Sequence, residues 1–320
     1  MGKSKRRSLG LLPVALLIGV VLGIAATGWA DYPSKPIQML CAFRAGGGTD
    51  SMARLLAKSL GNILGQNVVV INREGGVGGV VAMAVKNSKP DGYTLGITTS
   101  PTFSFMPNYT KVEYSIDDFK FLGAIGMFQP CIIAKADKPW KNIKDLIAYS
   151  KTHPGLKCVV QMEIDKLFLK YLAKKEGGIT WATLPVKGGP GMVSAILGGH
   201  ADFSFSYGTH YTYVKAGQMK LLAACSLERL ETFPEVPTLK EQGYNFSMDI
   251  YNVIAAPKMV PKDVINKLSN AISKSNKDPE YRAFLTEKLH FPALDWGPER
   301  VTKAIEMDST QYKDLLKIIR

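Results

Sequence analysis

The sequence has few of the residues from which metal and redox centres are built. Only four histidines and four cysteines occur among 320 residues. The histidines show no HExxH spacing and no two cysteines form a CxxC pair, so the ligand spacings of a zinc site are missing. We therefore expect no metal ion and no other cofactor.

Motifs for nucleotide binding and hydrolysis are also incomplete. GxxxxGK[ST] is absent, and the GxG of Gly46 and Gly48 is followed by Ser51 where the dinucleotide fingerprint needs a third glycine. "SFSYG" (204–208) has Ser204 where a hydrolase GxSxG motif needs its first glycine. An α/β enzyme stays an alternative, but no nucleophile, base or metal set can be assembled for it.

Long apolar runs are missing after residue 30, but one precedes it. Four basic residues among the first seven are followed by a charge-free stretch, 9–30, which ends in the small residues Gly28 and Ala30. This order is typical of a secretory signal peptide, with cleavage after Ala30. An uncleaved membrane anchor is the alternative, because the run approaches spanning length.

The net charge of +13 does not indicate a nucleic-acid partner. Four of the basic residues belong to the predicted signal, and the others are scattered rather than gathered with aromatic residues into a stripe. The four cysteines, at 41, 131, 158 and 225, lie in apolar runs typical of strands. Export permits disulfides, but the pattern favours buried free thiols.

Strand and helix signals alternate along the chain. Residues 37–43 and 67–72 are apolar runs, and the stretch 49–61 between them has apolar residues at helical spacing. A further strand is predicted at 93–99, the alternation pauses at 107–119, and it resumes at 130. This pattern predicts an α/β protein of two lobes, each a mostly parallel sheet flanked by helices.

The C-terminal part is predicted to have one strand near 250–256 and three helices, and to return to the first sheet. We therefore expect a signal peptide at 1–30, a first lobe of 31–130 and 226–320, and a second lobe of 131–225. The lobes would face each other across a ligand cleft and hinge near residues 130–131 and 224–225.

Two glycine-rich stretches stand where a predicted strand turns into a helix. They are "CAFRAGGGTD" (41–50) and "VKGGPGM" (186–192). Backbone N–H groups at helix N-termini bind anions, and ligands of open parallel sheets bind beyond the carboxyl ends of the strands. The loops 44–49, 99–102 and 187–191 occupy that position. The alternative is that the glycines only permit tight turns, with Thr49 and Asp50 as helix caps.

The chain resembles a known receptor family through an ordered set of segments. They are "YPSKPI", "AFRAGGGTD", "NREGGVGG", "KPDGYTL", "ILGGHADF", "VKAGQMKLLA", "FPEVPTLKEQG" and "AAPKMVPKDVINKL". From about residue 31 onward the sequence is similar to the substrate-binding receptors of tripartite tricarboxylate transporters, the Bug receptors. The resemblance implies a monomeric, two-lobed periplasmic protein that closes on a small carboxylate, delivers it to a membrane transporter and performs no chemistry.

The resemblance also implies a binding site. The loop matching 43–50 would hold a carboxylate by backbone N–H groups, waters and the Thr49 hydroxyl, the loop matching 187–190 would hold it from the other lobe, and 206–209 would face the far part of the ligand. The ligand-binding residues predicted in all are Phe43, Arg44, Ala45, Gly46, Gly47, Gly48, Thr49, Asp50, Ser100, Thr102, Gln161, Met162, Glu163, Lys187, Gly188, Gly189, Ser206, Tyr207 and Gly208.

Three departures from the family pattern bear on the ligand. Ala42 stands where proline is usual, and Arg44 where a small residue is common. Arg44 could point into the cleft as a bidentate carboxylate partner, or outward into solvent. "QMEID" (161–165) replaces a glycine- and serine-rich turn. It either simply begins a helix or changes the pocket, in which case Glu163 favours a ligand whose far end is neutral, apolar or amine-bearing.

The sequence leaves two questions open. Dicarboxylates, tricarboxylates, aromatic carboxylates and amino acids all fit the predicted site. A subunit that presents its ligand to a membrane sensor kinase fits as well as one that feeds a transporter.

Overall fold

Two β-sheets, one of six strands and one of five, organise residues 32–319, the part of the chain that the computed structural model describes. The predicted signal peptide, 1–30, lies outside the described residues. Within 32–319, no helix combines the length and the apolar character that a membrane crossing requires.

The strands, in chain order, are β1 (Ile37–Cys41), β2 (Val68–Asn72), β3 (Thr94–Thr99), β4 (Phe119–Met127), β5 (Cys131–Lys135), β6 (Leu156–Val160), β7 (Trp181–Pro185), β8 (Phe203–Ser206), β9 (Met219–Ala224), β10 (Tyr251–Pro257) and β11 (Ala293–Trp296). The α-helices are α1 (Gly48–Leu64), α2 (Gly79–Lys86), α3 (Pro101–Ser104), α4 (Met106–Tyr109), α5 (Ile143–Thr152), α6 (Glu163–Glu176), α7 (Gly188–Leu197), α8 (His210–Lys215), α9 (Lys262–Lys277), α10 (Pro279–Ala283) and α11 (Pro298–Ile319). Short 3₁₀ turns cover Gly76–Gly78 and Ile116–Asp118, and a π-helical turn covers Phe284–Lys288.

The strand order confirms two α/β units and the return of the chain. The first sheet is ordered β11-β4-β10-β3-β1-β2 and the second β7-β6-β8-β5-β9. Strand β10 inserts between β3 and β4, as the predicted C-terminal return requires. Both sheets are mixed rather than mostly parallel: β1 and β6 pair in parallel with their neighbours, whereas β5 and β10 pair antiparallel. The chain enters the second sheet on β5 and leaves it on β9, and these adjacent strands pair antiparallel.

The sequence did not predict β4 or β11. Strand β4 contains Gly123 and Gly126, which weaken a strand pattern. In the structure these glycines allow close approach. A Cβ on Gly123 would lie 3.0 Å from the Trp296 carbonyl oxygen, and one on Gly126 would lie 3.1 Å from Met52 Sδ. The features that hide β4 in the sequence therefore let α1 and β11 pack against it.

Helix α1 was predicted correctly, because its apolar residues recur at helical spacing and face the first sheet. Met52, Leu56 and Leu60 are fully buried against the first sheet, and burial of each such side chain stabilises the fold by about 1.5–3 kcal/mol. The helix ends where Gly65 adopts a left-handed conformation, φ 71°, and its N–H donates to the Gly61 carbonyl.

All four cysteines are buried and unbonded, which confirms the prediction of free thiols. Burial raises the pKa of the thiols of Cys131, Cys158 and Cys225 well above the ordinary value. They are therefore held in the protonated form.

Helix α11 connects the cores of the two sheets. Its first half, with Val301 and Ile305, packs into the core of the first sheet, and its second half, with Tyr312 and Leu315, packs into the core of the second. Phe105, just after α3, stacks on Tyr109 at 4.9 Å and meets Tyr312 edge-on at 5.3 Å. This aromatic bridge (Phe105, Tyr109 and Tyr312) is a third connection between the lobes. The second backbone crossing lies just before β10 rather than near residue 225, because Leu239 and Met248 still pack in the core of the second sheet.

A buried carboxyl group lies on α11 beside this bridge. Tyr251 Oη donates to Asp308 Oδ2 at 3.0 Å. Burial raises the pKa of Asp308 to about 7; the Tyr251 hydrogen bond opposes the shift and the charge of Asp249 adds to it. The folded protein therefore retains a proton at pH 5–6 that the unfolded chain, with a carboxyl pKa of about 3.9, releases.

We expect Asp308→Asn to remove this pH dependence while keeping an acceptor for Tyr251. Because the native state binds the extra proton, the unfolding free energy of the unmodified protein should fall as pH rises from about 4 to about 7. The unfolding free energy of the variant minus that of the unmodified protein should increase by about 1–3 kcal/mol from pH 5 to pH 8, since one pKa unit corresponds to 1.36 kcal/mol. Urea unfolding of both proteins at the two pH values measures this, and an equal difference at both would contradict it.

A threonine pair fixes the turn at residues 75–78. Thr98 Oγ1 and Thr102 Oγ1 lie 2.7 Å apart, and Thr102 Oγ1 donates to the Val77 carbonyl at 2.7 Å. Gly78 has a φ of 89°, and a Cβ on it would overlap both hydroxyl oxygens. The turn therefore requires glycine for its conformation and for space.

Gly78→Ala should lower the unfolding free energy by about 3 kcal/mol, of which the left-handed backbone accounts for about 1–2 kcal/mol. Gly217→Ala is the matched control, because Gly217 has a φ of 69° but open space where its Cβ would lie. Urea unfolding should show the larger loss for Gly78→Ala. Equal losses would mean that the threonine pair moves aside at no cost.

Candidate functional site

The two glycine-rich stretches face each other across the gap between the sheets. The first glycine turn (residues 44–48) leads from β1 into α1, and the second (residues 187–191) leads from β7 into α7. Arg44 Nη2 lies 3.9 Å from the point where a Cβ on Gly188 would be. The fold thus brings together two turns about 140 positions apart in the chain.

Both turns end at helix N-termini that have no side-chain cap. The N-cap residues are Gly47 for α1 and Lys187 for α7, and neither helix has a side-chain hydrogen bond at its cap. The first N–H groups of a helix have no partner within it, and the helix dipole gives them partial positive charge. Residues of the turns that are exposed or partly exposed are Phe43, Arg44, Ala45, Gly46, Gly47, Gly48, Lys187, Gly188 and Gly189.

Two cations accompany these N–H groups. Arg44 and Lys187 are exposed, and in the described part of the chain neither forms a salt bridge. Of the two orientations left open by the sequence, Arg44 takes the one toward the opposite lobe. Arg44 therefore places at the gap a positive charge that no salt bridge in the described part of the chain neutralises.

Asp50 holds the first glycine turn in shape. Its side chain is 3 % exposed, and it accepts hydrogen bonds from the Gly46 N–H (2.9 Å), Asn72 Nδ2 (2.7 Å) and Arg54 Nε (3.0 Å). Burial alone would raise the pKa of Asp50, but the bonds from Arg54, Asn72 and Gly46 hold it below its ordinary value. Its oxygens are therefore occupied within the turn and do not face the gap.

The predicted hydroxyl contacts of the first lobe have partners inside the protein. Thr49 Oγ1 donates to Asn252 Oδ1 at 3.0 Å, which leaves its backbone N–H as the group at the helix start. Ser100 and Thr102 are fully buried, and their hydroxyls donate to the carbonyls of Asp249 and Val77. All four residues of the loop 99–102 are buried.

The second-lobe strand end is likewise bonded internally. Ser206 is fully buried, with its Oγ 3.0 Å from His210 Nδ1. Tyr207 Oη donates to Asp165 Oδ1. Gly208 follows with a φ of 140°. Of these three predicted residues, Gly208 presents its backbone toward the other lobe, as described below.

The turn at residues 161–163 begins a helix. Asp165 accepts from the N–H groups of Gln161 (2.7 Å) and Met162 (3.0 Å), and burial raises its pKa to about 6 against these bonds. Gln161 Nε2 donates to the Phe205 carbonyl at 2.9 Å, and Met162 packs against the core of the second sheet. Helix α6 starts at Glu163, as one of the two sequence alternatives states.

Glu163 joins the two lobes. Its Oε1 lies 2.6 Å from Lys166 Nζ, and its Oε2 accepts from Tyr109 Oη, in the aromatic bridge, at 3.1 Å. The Lys166 bond comes first among the causes that lower the pKa of Glu163. Because Lys166 balances the charge of Glu163, we do not expect Glu163 to repel a second ligand carboxylate.

The sequence did not predict Phe291 as a residue of the gap, and it predicted Thr209 only as part of the strand end 206–209. Phe291, far along the chain, places its ring between Gly48 and Gly208, and Thr209 packs directly on Gly189. No local pattern marks Phe291, because only the return of the C-terminal part brings it there. Among residues 32–319, no group of three or more His, Cys, Asp or Glu side chains could hold a metal ion.

Comparison with known structures supports the two-lobed receptor fold. A TctC solute-binding protein from Polaromonas superposes with a TM-score of 0.76 at 26% identity, over 89% of this chain and 99% of its own. The periplasmic binding protein BugD gives a TM-score of 0.71 at 28% identity, over 90% and 98%. MatC from Rhodopseudomonas palustris, with bound malate, gives 0.74 over 89% and 100%, and at 22% identity this likeness supports the fold alone.

Sequence comparison extends the likeness to the family. A protein from the gbd 5′ region of Cupriavidus necator is 32% identical over 274 residues, 83% of each chain. The protein BugT of Bordetella pertussis is 32% identical over 279 residues, 83% of this chain and 84% of its own. The model of the tripartite tricarboxylate transporter family receptor matches residues 52–318. The chain therefore belongs to the tripartite tricarboxylate transporter receptor family.

Proposed function

We propose that this receptor holds one carboxylate group of a small organic acid between its two glycine turns and delivers the acid to membrane transporter subunits. The observation that carries the proposal is the pair of uncapped helix N-termini facing each other, with Arg44 in the gap. An anion is the ligand that would accept hydrogen bonds from the unpartnered N–H groups of these helix starts.

The backbone supplies most of the donors in this proposal. The N–H groups of Gly48 and Thr49 would approach the carboxylate from the first lobe, and those of Gly188 and Gly189 from the second. A hydrogen bond to a charged group contributes about 1.5–3 kcal/mol. Glycine serves here because a side chain would keep the anion away from the N–H groups. The Arg44 guanidinium can add a bidentate bond.

Relatives of known structure support the carboxylate class. The structures of two Rhodopseudomonas palustris proteins of this fold contain malate and adipate, both of which are dicarboxylates. For the present chain the same class fits the unneutralised cations Arg44 and Lys187. We include dicarboxylates among the expected ligands because Lys166 balances Glu163.

Closure of the lobes is part of the proposal. The chain would work in the periplasm as a monomer, exported by a cleaved signal at 1–30. The sequence assigns residues 226–320 to the first lobe with 31–130, but Phe233, Leu239 and Met248 pack in the cores of the second sheet, so residues 226–250 would move with residues 131–225. The aromatic bridge and α11 join the lobes on one side, so opening would separate the two glycine turns on the other. We assign no catalytic step to the chain.

A panel of acids tests the proposal. Malate, succinate, adipate, citrate and glutamate would be added to the purified mature protein in thermal unfolding and calorimetry experiments. At least one acid should bind, and at 100 times its Kd it should stabilise the fold by about 2.7 kcal/mol. Succinamide, which lacks the charge, should have no effect. Failure of small carboxylates as a class at millimolar concentration would contradict the proposal.

Arg44→Gln should weaken binding of the preferred acid roughly tenfold, which corresponds to about 1.4 kcal/mol. The loss should shrink at high salt, because salt screens exposed charges. Arg282→Gln is the control: Arg282 is also exposed but lies on α10, outside both turns. Calorimetry at two salt concentrations measures the effect. Equal Kd values for the two variants would place Arg44 outside the site.

A further inference from the structure

Phe291 lies between the lobes, directly behind the first glycine turn. Its Cε2 atom is 3.4 Å from the point where a Cβ on Gly48 would be, and its Cε1 atom is 2.5 Å from the corresponding point on Gly208. Gly48 begins α1 in the first lobe, and Gly208 follows β8 in the second. One ring therefore spans the backbones of both lobes.

The ring is held in place from several directions. The ring lies tilted against Phe128, with ring centroids 4.7 Å apart and an interplanar angle of 49°. The Phe291 N–H donates to the Leu285 carbonyl at 2.8 Å. The ring itself is 8 % exposed. A side chain confined in this way has little freedom to move aside when a ligand enters.

The preceding residue adds a further constraint. His290 has a φ of 54°, a left-handed conformation that is strained for a non-glycine residue and persists only where the surroundings enforce it. Its carbonyl accepts from Gln129 Nε2 in the segment between the lobes, and its ring stacks on Tyr211 of α8 at 3.9 Å. The backbone at 290–291 is thus fixed to the second lobe as well as the first.

The position of the ring defines one end of the proposed site. A carboxylate bound at the N–H of Gly48 has the Phe291 ring close by, so a ligand body that extended toward Gly208 would meet the ring. The contact with Gly208 closes the same end from the second lobe. Gly208 could not carry a side chain unless the ring moved, whereas a Cβ on Gly48 would lie in ordinary van der Waals contact with it.

We propose that Phe291 sets the length of ligand that the receptor accepts, by forming a fixed aromatic wall at the inner end of the site. This inference rests on the proposed function, because it requires a carboxylate at the first glycine turn. Removal of the ring should lengthen the pocket while the N–H groups that hold the carboxylate stay in place.

Calorimetry with a chain-length series tests the proposal. The ligands are succinate, glutarate and adipate, which carry the same two charges on four, five and six carbons. The Kd ratio of succinate to adipate should rise at least tenfold in Phe291→Ala relative to the unmodified protein, and by an intermediate factor in Phe291→Leu. Phe284→Ala is the control: it removes a partly buried ring from the π-helical turn and should leave the ratio unchanged.

Each outcome separates this inference from the function on which it rests. If the unmodified protein binds none of the acids in either panel, the proposed function fails and the inference with it. If it binds, and a folded Phe291→Ala variant keeps the same ratio, or loses affinity for all three acids equally, Phe291 is only a contact between lobes and the inference is overturned. Circular dichroism checks folding. Should Phe291→Ala unfold, the ratio in Phe291→Leu decides.

Discussion

The hydrogen bonds of the Asp50 carboxylate are the interaction on which the proposed binding site depends. This carboxylate is buried at the start of α1 and binds the Gly46 N–H, the Asn72 amide and the Arg54 guanidinium at once. These three groups come from the turn, from the end of β2 and from α1 itself. Asp50 therefore ties together the elements that expose the N–H groups of the first glycine turn. A ligand that bonded to this carboxylate would have to replace one of these three hydrogen bonds, and the turn would lose that support.

The second lobe uses the same principle with different residues. Asp165 is buried near the start of α6 and binds two N–H groups of the 161–162 turn and the Tyr207 hydroxyl. In both lobes a buried acid shapes a turn by accepting from its backbone, and in both the acid is unavailable to a ligand. The two acids thus leave the uncapped helix starts of both glycine turns available to an incoming anion, with Arg44 beside them.

The sequence predicted those features of the fold that local residue patterns determine. The alternation of apolar runs gave the two α/β units, and the glycines at strand-to-helix junctions gave both turns. It did not predict the partners of Thr49, Ser100 and Thr102, because those hydroxyls bond to Asn252, Asp249 and Val77, which only the fold brings near. Phe291 was missed for the same reason. Strand β4 was missed because its glycines serve tertiary packing rather than strand propensity.

The four buried thiols have a consequence for how the protein matures. A thiolate is the form that reacts with oxidants, and burial keeps Cys131, Cys158 and Cys225 protonated in the native state. Their chemical inertness is thus a property of the folded chain alone. A chain crossing into an oxidising compartment before it folds exposes four reactive groups that have no native partner. The yield of active receptor then depends on whether the two cores fold faster than non-native disulfides form.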